Sequence, residues 1–329
     1  MRGDLTCRIC GNDENNVPWR LAELLFSTGE AFDYFECSNC GCLQIAKIPE
    51  SLAACYPQEY FAFKRYDRLA RLGLRALFDR ARVRHVLERW NLLGWIGQRF
   101  AKSLDYVEWA RLAGMTTRAR VLDVGCGGGK VLLRMHLGGF GSCQGVDPFI
   151  PETLRYRNGV VIHKCTLEAL KERTAQSFDF IMLHHSLEHM PDQQQAMRAV
   201  EALLADDGAV LIRVPVASSY AWEHYREHWV SLDPPRHLYL HTHESIRKLA
   251  DQVDLQVVHQ YCDATASTLL WSELHRRSNV SRLSGKAGRA SVTAAEYAEF
   301  DRLCDEANRA MRGDQVVYVL KRMTRKKGV

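Results

Sequence analysis

No stretch of the 329-residue chain reaches the ~18 consecutive apolar residues of a membrane-crossing helix, because Arg or Lys interrupts every apolar run. A helical span is excluded on that ground. Glycine and proline stay at ordinary levels, 22 and 9 residues, which excludes collagen-like and fibrous chains. The start, MRGDLTCRIC, lacks an apolar leader, so a cytoplasmic protein is expected. Charge of one sign is also lacking: 44 basic against 39 acidic residues leave +5, too little to call for nucleic acid by itself. No internal repeat occurs. With 47% hydrophobic and 25% charged residues, the chain is globular and long enough for about two domains.

Acidic residues are scarce only locally. Lys64 to Arg111 holds twelve Lys/Arg against five Asp/Glu, and His275 to Val292 holds five basic residues and no acid. Either stretch is an ordinary solvated face, or it meets an anionic substrate or a membrane surface.

Eleven cysteines in a reducing compartment point away from disulfides and toward spacing. Cys7 and Cys10 in CRICG and Cys37 and Cys40 in CSNCG form two knuckles separated by 26 residues. Four thiolates so placed suit one tetrahedral zinc ion, and a closed S4 site is structural. Gly11 and Gly41 supply the tight turns behind each pair. Cys42 is a competing ligand, but Cys40 has the matching spacing. Residues 1–48 are therefore expected to be a zinc ribbon, with VPWRLAELLFS and FDYFEC as its strands. Residues 49–115 read as a helical arm, in which Val83, Val86, Leu87 and Trp90 keep helical spacing and Trp95, Ile96 and Phe100 add apolar material. A basic amphipathic arm either packs on the main domain or lies on a membrane.

From Ala119 strands and helices alternate, as in a parallel α/β sheet. Strands are expected near 119–125, 143–147, 160–165, 178–184 and 208–214. A helix over QQQAMRAVEALLADDG should end at Gly208. LQVVHQYC and DQVVYVLKR are later strands, enclosing a helix from Ala294 to Met311. In VLDVGCGGGK, Gly125, Gly127 and Gly129 sit where strand passes into helix, so the backbone can approach a nucleotide-like ligand. A third dinucleotide-type glycine would fall at Lys130, which weakens an NAD reading. Asp147 in QGVDP stands about twenty residues on, at the place of a ribose-binding carboxylate.

VLDVGCGGG, GVDP, SFDFIMLHHSLEHMPD and DDGAVLIRVP, in this order, resemble the class I S-adenosylmethionine-dependent methyltransferases over residues 116–329. The resemblance implies a Rossmann-like seven-stranded sheet and S-adenosyl-L-methionine as cofactor. It places Gly125, Cys126, Gly127 and Gly129 against the methionine part, Asp123 near its amino group, Asp147 on the ribose, and Thr166 and Leu167 near adenine. His184 joins this set at the end of the fourth strand. HHSLEHM and SLDPPRHLYLHTHES are similar to a bacterial branch that carries an N-terminal zinc module and modifies sugars or surface glycans.

Methyl transfer needs a group that takes the acceptor's proton. His185 is the first candidate; His189 is expected to be structural. The segment Ala217 to Leu240 reads as a lid over a polar acceptor, with Tyr225, Arg236 and Tyr239 as substrate contacts and His237 as a second candidate base. A metal at His224, His228 and His237 is disfavoured for want of an acid. The expected partner is a small-molecule substrate, anionic or sugar-linked. The alternatives are RNA, held by the basic tail KRMTRKK, and a non-catalytic adaptor that binds the cofactor. Against RNA, the ribbon itself is rich in acids.

Overall fold

The computed structural model describes residues 5–26, 28–56, 61–70, 74–101, 104–278 and 292–323. Most of the basic run after His275 and the tail from Thr324 lie outside them. The N-terminal part begins with β1 (Val17–Ala22), β2 (Ala31–Glu36) and β3 (Leu43–Ile45). Three helices follow: α1 (Leu74–Leu87), α2 (Leu92–Phe100) and α3 (Asp105–Ala113), the last stopped by Gly114 in the left-handed region.

The main sheet then alternates as its sequence demands. In order come β4 (Arg120–Val124), α4 (Lys130–Leu137), β5 (Ser142–Val146), β6 (Leu154–Arg155), β7 (Val161–His163), α5 (Leu167–Arg173), β8 (Phe178–His184), α6 (Gln193–Leu203) and β9 (Leu204–Pro215). The chain continues with α7 (Tyr220–Tyr225), β10 (Tyr239–Leu240), α8 (His243–Asp251), β11 (Leu255–Cys262), α9 (Ala266–Ser278), α10 (Ala294–Arg309) and β12 (Gln315–Arg322). Eight strands pair in the order β11-β12-β9-β8-β4-β5-β7-β6. β4, β5, β7, β8 and β9 run parallel, and β12 is antiparallel to both of its neighbours.

The sheet separates two cores, and the central strand FDFIMLH is almost wholly buried between them, as a parallel strand must be. On one side lie α3 and α4, with Trp109, Leu133 and Phe140; on the other lie α5, α6 and α8, continuous with the N-terminal module.

Three expectations need correction. The sheet has eight strands rather than seven, because a turn at Gly159 (φ +90°) folds Leu154–Arg155 back onto β7. The helix expected to reach Gly208 ends at Leu203, since Leu204 is already paired with Phe178. The ribbon does not close at residue 48 as a unit of its own: β10 pairs antiparallel with β3, so its fourth strand comes from the segment read as a lid.

Candidate active site

The strand β4 ends on Val124, and Gly125, Gly127 and Gly129 follow with φ of +70°, +54° and +72°. Side chains are excluded here by space as well as by φ: a Cβ on Gly125 would stand 2.5 Å from Ser186 Cβ, and one on Gly127 would collide with the Ala62 carbonyl. Ala62 accepts a hydrogen bond from Gly128 N (2.9 Å), so the segment before α1 lies on the loop. Two buried carboxylates stand behind it. Asp147 accepts from Gly127 N and Phe149 N, both at 2.8 Å, while Asp123 Oδ1 is buried without a hydrogen-bond partner among the described residues. Burial, then the charge of Asp147, pushes the Asp123 carboxyl up to about 8, and burial also raises Asp147.

The glycine loop, Asp123 and Asp147, expected to hold the cofactor, are thus brought together. Cys126 is a desolvated thiol against Gly145, its pKa pushed up by burial. Thr166 caps α5 through Ala169 N (3.3 Å), and Leu167 is buried beside it. His184 is placed otherwise. Its ring packs on Trp109 of α3 (5.0 Å between centroids), and burial holds its pKa well below the ordinary range.

Just past β8, the chain assembles a cluster around one carboxylate that sequence reasoning passed over. Glu188 is fully buried, and its Oε2 has no hydrogen-bond partner among the described residues. His185, at φ +53°, turns Nδ1 to Glu188 Oε1 (3.3 Å) while its Nε2 meets the guanidinium of Arg213, which Asp263 holds at 2.7 Å. His237 donates Nδ1–H to the Ser231 carbonyl (2.7 Å) and leaves Nε2 4.0 Å from Glu188 Oε1. Its ring lies 4.7 Å from that of His189, whose Nδ1–H is spent on the Arg236 carbonyl (2.8 Å). Burial and the neighbouring His237 push His189 down to about 4. Tyr56 completes the wall, with its hydroxyl 3.1 Å from His189 Nδ1 and its ring 5.4 Å from Phe149.

The three expected substrate contacts lie elsewhere. Arg236 is buried and committed to Glu23 (2.7 Å) and Asp233 (2.5 Å), with its guanidinium over the ring of Phe26. Tyr239 donates to the Pro191 carbonyl (2.8 Å), accepts from Arg8 Nε (2.9 Å) and is buried in the β3–β10 seam. Tyr225 is buried against His224. Arg236 and Tyr239 fasten the expected lid to the ribbon, while Tyr225 packs toward α9, under the guanidinium of Arg276. Replacing Arg236 by Met leaves Glu23 and Asp233 buried without their counter-charge, which costs about 3–5 kcal/mol; the midpoint of urea unfolding measures it.

The four knuckle cysteines converge. Their sulfurs lie within 4.8 Å of one another, with Cys7–Cys40 and Cys10–Cys37 each at 3.6 Å. That spacing is far from a disulfide and close to the edge, roughly 3.8 Å, of a tetrahedron with 2.3 Å bonds. Gly11 and Gly41 take φ of +74° and +69°, and Gln44 Nε2 donates to Cys7 Sγ (3.1 Å). Cys42 is buried outside the cluster.

A parallel sheet extended by an antiparallel strand pair, with a glycine-cornered loop and two acids at adjacent strand tips, is the arrangement of nucleotide-binding α/β folds. The profile of a family described as a methyltransferase domain matches residues 61–260, and the chain belongs to that family. Over 154 residues it is 29% identical to a ubiquinone biosynthesis O-methyltransferase of Salmonella paratyphi A, covering 43% of this chain and 62% of that protein. The protein of the same name from Neisseria meningitidis is 36% identical over 116 residues, 32% of this chain and 47% of its own. The chain thus spans about half the length of the curated relatives it matches. Among solved structures, coclaurine N-methyltransferase aligns over 67% of this chain and 74% of its own at 18% identity and a TM-score of 0.40. YcgJ from Bacillus subtilis aligns over 65% and 97%, at 16% identity and 0.39.

Proposed function

We propose that the protein transfers a methyl group from S-adenosyl-L-methionine to a hydroxyl of a small polar acceptor, a sugar or glycan precursor. The observation that carries the cofactor reading is Asp123 Oδ1, a buried and unpartnered acceptor beside the glycine loop. It fits the cofactor's ammonium, while Asp147, its backbone contacts notwithstanding, keeps lone pairs for ribose hydroxyls. When bound, the cofactor supplies an electrophilic methyl on a sulfonium. The names of the curated relatives support an oxygen acceptor.

The chain's own task is to orient the acceptor and remove its proton. His237 suits the second part better than His185. Its Nδ1–H is fixed by Ser231, so Nε2 carries the lone pair, and Glu188 Oε1 lies 4.0 Å from it. The Nε2 of His185 instead faces a guanidinium. His185, Arg213 and Asp263 serve as positioning groups for Glu188. His237→Ala should lower kcat about 10²–10³-fold with the affinity for S-adenosylhomocysteine unchanged. His185→Ala should cost about tenfold; full turnover in His237→Ala would move the base elsewhere.

The knuckle cysteines fit one zinc ion, held by Cys7, Cys10, Cys37 and Cys40 as a structural centre with no open position. The sugar reading rests on the resemblance of HHSLEHM and SLDPPRHLYLHTHES to glycan-associated methyltransferases. Incubation with labelled S-adenosylmethionine tests it: label should enter a nucleotide-sugar pool and not total RNA, and label in RNA alone would overturn it.

A further inference from the structure

The helix α2 is built inside out. Its two buried residues are Gly94 and Gly97, which face α1 so closely that a Cβ on Gly97 would stand 2.7 Å from Arg82 Cγ. The glycines let the two backbones approach, and every large apolar side chain of the helix is left on the outside. Leu92, Leu93, Trp95, Ile96 and Phe100 are exposed, Phe100 by 81% and Leu93 by 64%. Trp90, 68% exposed, extends this face across the turn, and Leu77 and Phe78 of α1 continue it. A helix that buries glycine and exposes leucine and phenylalanine has its apolar stripe turned away from its own core, and such a patch marks a binding surface.

The charges around it choose the occupant. Arg84, Arg89 and Arg99 are exposed on the same hairpin and have no acidic partner among the described residues. The hairpin's two acids are engaged, Asp79 with Arg82 and Glu88 with Thr117. A second copy docked symmetrically would set the unpaired arginines against themselves. An anionic bilayer offers apolar depth, an interface for Trp90 and Trp95, and phosphate for the arginines. At nine residues α2 is far too short to span, so it would lie in the interface plane.

We propose that the α1–α2 hairpin docks the protein on anionic lipid, with the outer face of α2 sunk among the acyl chains. This surface is independent of the acceptor's identity. The full-length protein should co-sediment with vesicles of phosphatidylcholine and phosphatidylglycerol at 3:1. Pure phosphatidylcholine should bind on the order of a hundredfold more weakly, roughly fivefold for each of three arginines. The variant Leu93→Ser with Phe100→Ser should lose at least about tenfold in vesicle affinity at an unchanged melting temperature, both residues being exposed. Brominated acyl chains should quench tryptophan emission in the wild type and not in that variant. Absence of binding to the anionic vesicles overturns the proposal. So does a wild-type dimer in sedimentation that the double variant splits, which would give the face to a second copy.

Discussion

Cys37→Ser combined with Cys40→Ser should unfold the N-terminal module and release the one zinc ion proposed for the four cysteines. Structural zinc contributes about 10–16 kcal/mol in isolated zinc-binding peptides, as much as or more than the ~5–15 kcal/mol that holds a whole domain. The module has little to replace it, since its sheet is four short strands, one of two residues. The damage should not stop at residue 48. Gln44 donates to Cys7 Sγ, its strand pairs with Tyr239–Leu240, Thr242 Oγ1 donates to the Cys40 carbonyl (2.5 Å), and Tyr34 donates to the His237 carbonyl (2.8 Å). Loss of zinc therefore displaces the candidate base, and turnover should fall with structure. Metal analysis gives the stoichiometry, and amide hydrogen exchange should accelerate over 31–45 and 239–240 together. Wild-type protein free of zinc, or exchange unchanged in the double variant, would refute the assignment.

Asp123→Asn should weaken binding of S-adenosylhomocysteine about a hundredfold, the worth of a charge-assisted hydrogen bond in a dry site. The pH dependence identifies the group. Without cofactor the carboxyl holds its proton up to about pH 8. An ammonium ligand needs the carboxylate, so below that pH binding must expel a proton. Affinity should then rise about tenfold per pH unit well below pH 8 and level off above it, and Asn should abolish the slope. In the empty protein the sign is opposite for stability. The folded state holds a proton between roughly pH 4 and 8 that the unfolded chain has released, so this group's contribution declines as pH rises through that window. Calorimetry in buffers of different ionisation enthalpy counts the proton; a flat profile would remove Asp123 from the ammonium site.

What could be read from sequence was local. The glycine loop, the acid twenty residues later and the two C-x-x-C-G knuckles each declare themselves within a few residues, because backbone turns and metal bites are short-range demands. The alternation announced the parallel strands and the two late ones, but their order in the sheet was implied only by the family resemblance. What escaped was long-range pairing. Arg236 was an attractive anion binder until Glu23, 213 positions away, proved to be its partner. Glu188 stood in the quoted motif, yet nothing in LEHM says that His185, just past β8, and His237, just before β10, would converge on it. Aromatic residues between Ala217 and Leu240 suggested a mobile cover, but the same composition suits a buried seam, and Trp222 and Trp229 are buried in the common core.

The strand β3 waits for β10. On a ribosome adding roughly 5–20 residues per second, almost two hundred residues separate Ile45 from Leu240, so the knuckles emerge on the order of 10–40 s before the edge that completes their sheet. During that interval the nascent module presents an open β-edge, and a metal held by the four cysteines would have to bind early to order it. With zinc at the four cysteines, the yield of active protein should follow the metal available during synthesis more closely than metal added to the finished chain.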